Sequence, residues 1–552
     1  MSEKPLSPNE AFKEKSNFLR NGIEESLENP LTGAVAPEAE QIMKFHGVYV
    51  QDNRDLRAER AKQKLEPLYS MMVRVRLPGG ICTPPQWLKM DEMARTYGNG
   101  TMRLTTRQTF QLHGVLKRNL KATIAGINQA LMDTIATCGD VNRNVMCSIN
   151  PHLSKVHDEA YQLAARISEH LLPRTRAYYE IWLDEKKVAG GEEEPIYGKT
   201  YLPRKFKTAM AIPPYNDVDV FANDIGLIAI AENGYLKGFN VAVGGGLSKT
   251  HGDDATYSRL ASVIGYCDKA HVVEVCEKIV TIQRDYGDRS NRKHARLKYT
   301  IDDRGVDWFK KELEKHLGFA LESEMPYAFT ARGDEYGWVQ DKDGLWHLTL
   351  FVENGRIKDT ETMRLMSAMR ALAQIHGGDF RLTPNQNLIV AKVAESEKAG
   401  IERLFAEHGV SLDPGIYAQA MACVALPTCP LAMAESERYL PSLMGKIDAL
   451  LKEKSIDDPV IVRMSGCPNA CSRAYLAEIG MVGKAPGLYD LYLGANVTGT
   501  RLAPKYADSL REEDILKELD GWFTRFAKEK RPNEAFGDFV WAQLCEDFQA
   551  VE

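Results

Sequence analysis

The chain has 552 residues, 44% of them hydrophobic and 26% charged, an ordinary globular composition whose length predicts roughly three to four domains. A formal net charge of -6 argues against nonspecific nucleic-acid binding as its task, so any basic site must be local. The N-terminal MSEKPLSPNEAFKEKSNFLR lacks the apolar core of a signal peptide and no run of about 18 apolar residues occurs, which excludes a helical membrane span and predicts a cytoplasmic protein. Ten scattered cysteines read as free thiols of a reducing compartment, with tight pairs as metal ligands.

Residues 1 to about 60 are polar and read as an extension that wraps on the body or reaches a partner. MMVRVRLPGG (71–80) then alternates as a strand, QWLKMDEMARTYG reads as a helix, and TMRLTTRQTFQLHGV (101–115) returns as a strand. The same order recurs later: LWHLTLFVENG (345–355) as strand and turn, TMRLMSAMRALAQIHGG as helix, DFRLTPNQNLIVAKV (379–393) as strand. RLTTRQ at 103–108 echoes RLTPNQ at 381–386, so one supersecondary unit has been duplicated. The segments after each copy also rhyme, GFNVAVGGGLS (238–248) with YDLYLGANVTGT (489–500), which predicts a pseudo-twofold pair of modules. The GGG at 244–246 lacks the G-x-G-x-x-G spacing of a dinucleotide site, and no nicotinamide or flavin fingerprint is found.

The two halves carry different chemistry. In VRVRL, strand alternation puts Val73, Val75 and Leu77 on one face and Arg74 and Arg76 on the other. The same parity pairs Arg103 with Arg107, if that segment stays extended, and Lys205 with Lys207 in YLPRKFKT, with Arg143 in NRNVMC as a further cation. Beside Gly, Pro and Asn turns these predict an anionic ligand, arginine as a fork and lysine as a mobile charge able to deliver protons. NRKHARLK (291–298) adds a basic run whose reading as exposed loop is equally good, and His113 in FQLHG reads as a core histidine.

Only the second half holds a cysteine quartet: Cys423 and Cys429 in ACVALPTCPLAMAE, Cys467 and Cys471 in MSGCPNACSRA. C-x5-C followed by C-x3-C fits an iron-sulfur cluster better than structural zinc, which favours C-x2-4-C pairs. A noncatalytic zinc-binding interaction protein is the alternative from another class.

Together FHGVYVQDNRDLRAERA, RLPGG, RLTTRQTFQLHG, NRNV, HLLPRTRAY, TYLPRKFKT, IPPYND, NRK, HLTLFVENGR, TCPLAMAE and GCPNAC resemble the sirohaem and 4Fe-4S sulfite and nitrite reductases along nearly the whole chain. Within that family the likeness is to haemoprotein (beta) components that work with an NADPH-dependent flavoprotein. The resemblance implies an α+β fold: internally duplicated, pseudo-twofold ferredoxin-like half-domains (71–135 and 337–408), and two α/β sirohaem-cluster-binding domains, 136–336 for sirohaem and substrate and 409–552 for the 4Fe-4S cluster and sirohaem. Residues 1–70 would contact a partner or wrap on the C-terminal domain. It further implies that Cys423, Cys429, Cys467 and Cys471 hold the cluster and that Cys471 also ligates the sirohaem iron. Arg74, Arg143, Lys205 and Lys207 would face the substrate, while Arg103, Arg107, Arg204 and Arg296 would pair with sirohaem carboxylates. The implied reaction is the six-electron reduction of sulfite to sulfide, with electrons from a flavoprotein (alpha) subunit that carries the NADPH site, FAD and FMN. Ferredoxin is the alternative donor, in a ferredoxin-dependent sulfite or nitrite reductase. Sulfite is preferred over nitrite on the paired lysines, since related nitrite reductases tend to keep only the first. The family often has C-P-N-G-C-G-R where this chain has Ala470 and Ser472, an expected influence on the cluster's potential.

Overall fold

A computed structural model describes residues 5–20, 22–149, 154–174, 181–183, 186–189 and 194–549; the end of the HLLPRTRAY motif, 175–178, lies outside them. Two antiparallel sheets come from the predicted repeat. The first runs in the order Val48–Asp52, Tyr69–Arg74, Phe110–Val115, Met102–Leu104, Arg356–Ile357, and the second Gly337–Gln340, Trp346–Leu350, Leu388–Val393, Asp379–Leu382, Ile81–Cys82. The edge strands are exchanged: Arg356 lies opposite Arg103, and Cys82 opposite Phe380. Each exchanged strand leaves a tight turn in left-handed backbone, Gly79 and Gly80 (φ 62° and 77°) in one copy, Asn354 and Gly355 (φ 50° and 74°) in the other. A Cβ on Gly80 would meet the Leu382 carbonyl at 2.4 Å, so only glycine lets the crossing strand approach.

One helix of each repeat packs on these sheets. Pro84–Thr96 starts at a capping box, with Thr83 and Gln86 each satisfying the other's backbone N–H and proline in the first turn. It packs against Leu365–Ala373, and buried Asp91 accepts Arg95 of its own helix and Arg370 of the other. The Trp87 ring fills the space between the sheets, with centroids 5.5 Å from Phe110 and 5.3 Å from Phe380.

The segment 101–115, expected as one strand, is a hairpin, as is 379–393. Thr105 N–H donates to the Thr109 carbonyl at 3.0 Å and Thr383 N–H to Asn387 at 2.9 Å, and Gln108 and Gln386 take positive φ (55° and 73°). The threonine hydroxyls close each turn from inside, the Thr105 and Thr109 oxygens lying 2.7 Å apart. Threonine scores as a strand former, and here local side-chain bonding overrides that preference. Arg103 and Arg107 therefore do not share a strand face.

The remaining two sheets have one topology. Met146–Cys147, Thr208–Ala211 and Ile225–Glu232 are parallel, followed by antiparallel Tyr235–Val243 and Ser262–Asp268. Ala420–Ala422, Val462–Ser465 and Ile479–Ala485 are parallel, followed by antiparallel Leu488–Leu493 and Lys505–Leu510. Before the third strand of each sheet a short turn begins on a left-handed residue, Asp219 (φ 48°) in DVFANDIG and Arg473 (φ 59°) in RAYLAEIG. These equivalent positions meet: Arg473 Nε is 2.7 Å from Asp219, which also receives Arg463 at 2.6 Å and Arg332 at 3.1 Å.

The N-terminal stretch differs from expectation. Val48–Asp52 is an edge strand of the first sheet, because VYVQD alternates over only five residues and the signal is short. The helix Pro8–Lys15 lies on the 136–336 region, with Ser7 N–H bonded to the Arg289 carbonyl, while Arg54 donates to the carbonyls of Cys429 and Ala432. The segment thus touches both halves rather than the C-terminal one alone. Among the described residues no helix is long and apolar enough to cross a membrane.

Burial would raise the Asp219 carboxyl, but the guanidiniums, Arg463 foremost, hold it well below the usual carboxylate range. Asp219→Ala would leave three buried cations short of a partner and is expected to cost about 3–5 kcal/mol, measured as a lower urea midpoint. A depressed folded pKa gives stability that is present above the unfolded value of about 3.9 and lost as pH falls below it. The variant is expected to lose part of the wild-type's stability decline below about pH 4.

Candidate active site

The four predicted cysteines come from two loops at the ends of parallel strands. Cys423 follows Ala420–Ala422, and Cys467 and Cys471 follow Val462–Ser465. Cys423 Sγ accepts the Gly466 N–H at 3.2 Å and Cys467 Sγ the Asn469 side-chain amide at 3.5 Å. Gly466 cannot carry a Cβ, which would lie 2.5 Å from that of Ala425. Burial, and then the neighbouring Cys471 sulfur, push Cys423 and Cys429 up to about 12, and Cys467 rises for the same two causes. Such a set is poor at holding four bare thiolates and suited to a cationic cluster that replaces the protons. Among the described residues no three His, Cys, Asp or Glu side chains are close enough to hold a single metal ion.

Ser472 turns its hydroxyl away from the sulfurs, to the Met464 carbonyl at 2.7 Å and the Ser465 hydroxyl at 2.5 Å. Ala470 adopts φ 48°, a left-handed conformation that costs an L-residue about 1–2 kcal/mol.

Cys471 differs from its fellows: it is exposed, onto the wall of a solvent-open cavity. Arg107, Lys207 and Arg296 line the same cavity, with Asn469 and Arg473. A second cavity, of about 270 Å³, shares Ser248, Arg296 and Asn469 with it and adds Arg204, Arg292 and Lys298. The walls are cationic and short of carboxylates. Arg107 reaches in from the hairpin turn, held by Asn223 Oδ1 at 3.0 Å and by the carbonyls of Asn144 and Thr208, and its buried Nε has no partner. Burial, then Arg143, lowers its pKa; burial, then Arg292, lowers that of Arg204. Lys205 is lowered well below its usual value by burial and then Arg204 and Lys207. Lys207 is pushed down to about 7 by burial, with Arg107 and Arg296 adding to the effect. Both lysines are half-buried; Lys207 lines the first cavity, and Lys205 lines neither. Arg143 donates Nε and Nη2 to the Gly139 carbonyl, and Arg74 donates to Cys138 Sγ at 3.4 Å. Both contribute to the field on Arg107.

Two arginines are placed otherwise than expected. Arg76 forms a fork on Asp133 at 3.0 and 2.7 Å and leaves Arg74 alone on its side. Arg103 lines neither cavity: it donates to the Ala422 carbonyl at 3.0 Å and lies 3.1 Å from Glu437, which also binds Arg356. Its charge is thus matched by Glu437 beside the cysteine loops, outside both cavities. His113 is a buried core residue against Gln51, as read.

Several residues escaped the sequence reading. Asp224 is fully buried, binds Arg296 at 2.7 and 3.1 Å and accepts the Lys207 N–H at 2.9 Å, so one carboxylate positions two cavity residues. Its partner position in the other half, Glu478, likewise accepts Ile461 N–H. Lys298, from the ambiguous NRKHARLK run, is fully buried with Nζ on the carbonyls of Gly246, Ser248 and Tyr257. Only its position in the run, with Arg296, hinted at this. The cation-rich cavities and unpartnered Arg107 Nε fit a large polycarboxylate macrocycle, and the cysteine loops fit an iron-sulfur cluster.

Replacing Ala470 with glycine removes the left-handed strain beside the cysteines. Ala470→Gly is expected to raise stability by about 0.5–1 kcal/mol, read as a higher urea midpoint.

Comparison with known proteins agrees with this geometry. The family model of the nitrite/sulfite reductase ferredoxin-like half domain matches residues 63–130 and 339–408, and that of the nitrite and sulphite reductase 4Fe-4S domain matches 163–321. The latter falls on the half without the cysteine quartet, as a twofold-repeated architecture allows. The sulfite reductase [NADPH] hemoprotein beta-component of Geobacillus kaustophilus is 58% identical, over 97% of this chain and 95% of its own. Its counterpart from Myxococcus xanthus is 55% identical, over 97% and 96%. In fold the chain matches the Mycobacterium tuberculosis NirA protein, with a TM-score of 0.80 at 24% identity over 98% of this chain and 97% of that one. The α+β architecture with two ferredoxin-like half-domains is thus confirmed, and the chain belongs to the nitrite and sulphite reductase family.

Proposed function

We propose that this chain is the haemoprotein component of an assimilatory, NADPH-dependent sulfite reductase, which reduces sulfite to sulfide by six electrons at a sirohaem coupled to a 4Fe-4S cluster. The observation that carries it is the placement of the exposed Cys471 thiol on one cavity wall with Arg107, Lys207 and Arg296. Cys423, Cys429, Cys467 and Cys471 would hold the cluster, and Cys471, alone open to the cavity, would also hold the sirohaem iron. When bound, these groups store electrons and supply the metal centre at which S–O bonds break.

The chain's own residues account for binding and protons. Arg107, Arg204 and Arg296 are positioned for the macrocycle's carboxylates as charge-assisted donors. Arg103, which lines neither cavity and is matched there by Glu437, is not assigned to them. Arg74, Arg143, Lys205 and Lys207 bind the sulfite dianion and stabilise charge on the departing oxygens. The reduction consumes seven protons and releases three waters, and Lys205 and Lys207 Nζ are the donors, since burial has made them readier acids than a surface lysine. Electrons come from a flavoprotein (alpha) subunit, which binds NADPH, FAD and FMN. No disulfide joins any of the ten cysteines, in keeping with a cytoplasmic location.

Turnover of sulfite with NADPH plus flavoprotein, compared with reduced ferredoxin and with nitrite, tests the reading; faster turnover with ferredoxin or of nitrite at limiting substrate would overturn it. Cys471→Ser is expected to abolish turnover and the spectroscopic coupling between haem and cluster. Lys207, with its folded pKa at about 7, is charged below that pH and neutral above it. kcat/KM for sulfite should therefore fall as pH rises through about 7. Lys207→Arg, which stays charged, is expected to lose the part of this limb that does not belong to sulfite itself, and Lys207→Asn to weaken sulfite reduction more than nitrite reduction.

A further inference from the structure

The lysine-bearing segment Arg204–Lys207 follows three residues whose carbonyls are each held by a cation from elsewhere in the chain. Arg289 Nη2 donates to the Tyr201 carbonyl at 2.6 Å, Lys13 Nζ to that of Leu202 at 2.8 Å, and Arg292 Nη1 to that of Pro203 at 3.2 Å. Two carboxylates tie these cations together. Glu10 binds both Lys13 and Arg289; Asp140 binds Arg292 at 2.7 Å and lies 3.7 Å from Lys13. Glu10 and Lys13 are adjacent turns of the helix Pro8–Lys15, and each is only 2% exposed. A buried ion pair on a terminal helix is an expensive way to dock it, since apolar side chains would do so without the desolvation cost.

The backbone that these groups hold is under strain. Tyr201 sits at φ 55°, sparsely populated for an aromatic residue, and such a conformation persists only where its surroundings over-determine it. Asp140 also contributes through its own backbone, its carbonyl accepting Leu202 N–H, and three residues later Arg143 N–H bonds to the Phe206 carbonyl. The carbonyls on one side and these ladder bonds on the other fix the course of the chain into Lys205 and Lys207.

We infer that the N-terminal helix Pro8–Lys15 is a positioning clamp for the substrate lysines, with Lys13 and Glu10 acting on the Tyr201–Pro203 carbonyls so that Lys207 points into the cavity with Lys205 beside it. This rests on the assignment of those lysines to sulfite. The helix touches no reacting atom; it sets where the proton-donating Nζ groups sit, and displacement of such groups by about 1 Å is enough to cost large factors in rate.

The test compares holoenzymes with the flavoprotein donor: wild type, Lys13→Met, the double variant Glu10→Gln/Lys13→Met, which leaves no stranded charge on the helix, and Asn9→Ala, whose side chain meets Gln41 instead. Expected are a fall of about tenfold or more in kcat/KM for sulfite for both Lys13 variants, an unchanged haem and cluster absorption spectrum, and faster amide exchange in a peptide spanning 201–207. Asn9→Ala should match wild type in all three. A wild type without sulfite turnover would sink the functional reading. A wild type that turns over sulfite beside a double variant with unaltered kcat/KM and exchange would overturn the clamp, as would loss in Asn9→Ala equal to that in Lys13→Met.

Discussion

The carboxylate of Asp219 is the point on which the two halves of the molecule are assembled. It is fully buried and receives Arg473 and Arg463 from the cysteine-bearing half and Arg332 from the connection between halves. A buried ion pair gains little over apolar packing, yet it is exacting about geometry, because a displaced partner leaves an uncompensated charge. Arg473 lies two residues beyond Cys471, and Asp219 five residues before Asp224, which seats Arg296 and the Lys207 amide. The pair therefore sets the distance between the sulfur that faces the cavity and the cations across from it.

Around that fixed point the protein maintains a concentration of positive charge that would disperse in water. Arg107, Arg204, Lys205 and Lys207 are all shifted toward their neutral forms by burial and by neighbouring cations. Carboxylates stand one step behind the wall rather than on it: Asp224 behind Arg296 and Asp140 behind Arg292. They offset part of the desolvation cost while leaving the cavity face unneutralised, so an incoming anion meets donors already oriented. Pre-set dipoles and charges of this kind need no reorganisation when charge develops on a departing oxygen.

Duplication supplied the symmetry, and specialisation broke it. The second half has the same parallel-then-antiparallel sheet and the same buried acid at the start of its third strand, Glu478 for Asp224. Yet the residue whose amide that acid holds is Ile461 where the first half has Lys207. The cysteine quartet lies in one half and the Arg204–Lys207 cations in the other, and the two meet where the strand-exchanged hairpin places Thr106 against the Cys471 carbonyl.

Much of this was legible in the sequence. RLTTRQ and RLTPNQ announced the repeat, the paired cysteines a cluster site, and the YLPRKFKT lysines a cationic site, because each signal is local and rests on residue type and spacing. The resemblance to a known family added the proposal that Cys471 bridges the two centres, which spacing could not supply. Other features depended on partners far along the chain. Strand parity put Arg76 beside Arg74, but Asp133 captured it; the β-propensity of TTRQT suggested one strand, but paired threonine hydroxyls closed a turn and sent Arg103 and Arg107 to different halves. Asp219, Asp224, Glu10 and Lys13 look like any surface charges in one dimension. The sequence by itself determined which side chains could carry electrons, protons and anions; the tertiary structure decided which of them are desolvated, paired and aimed at the cavity, since burial and charge compensation belong to neighbours brought together only by folding.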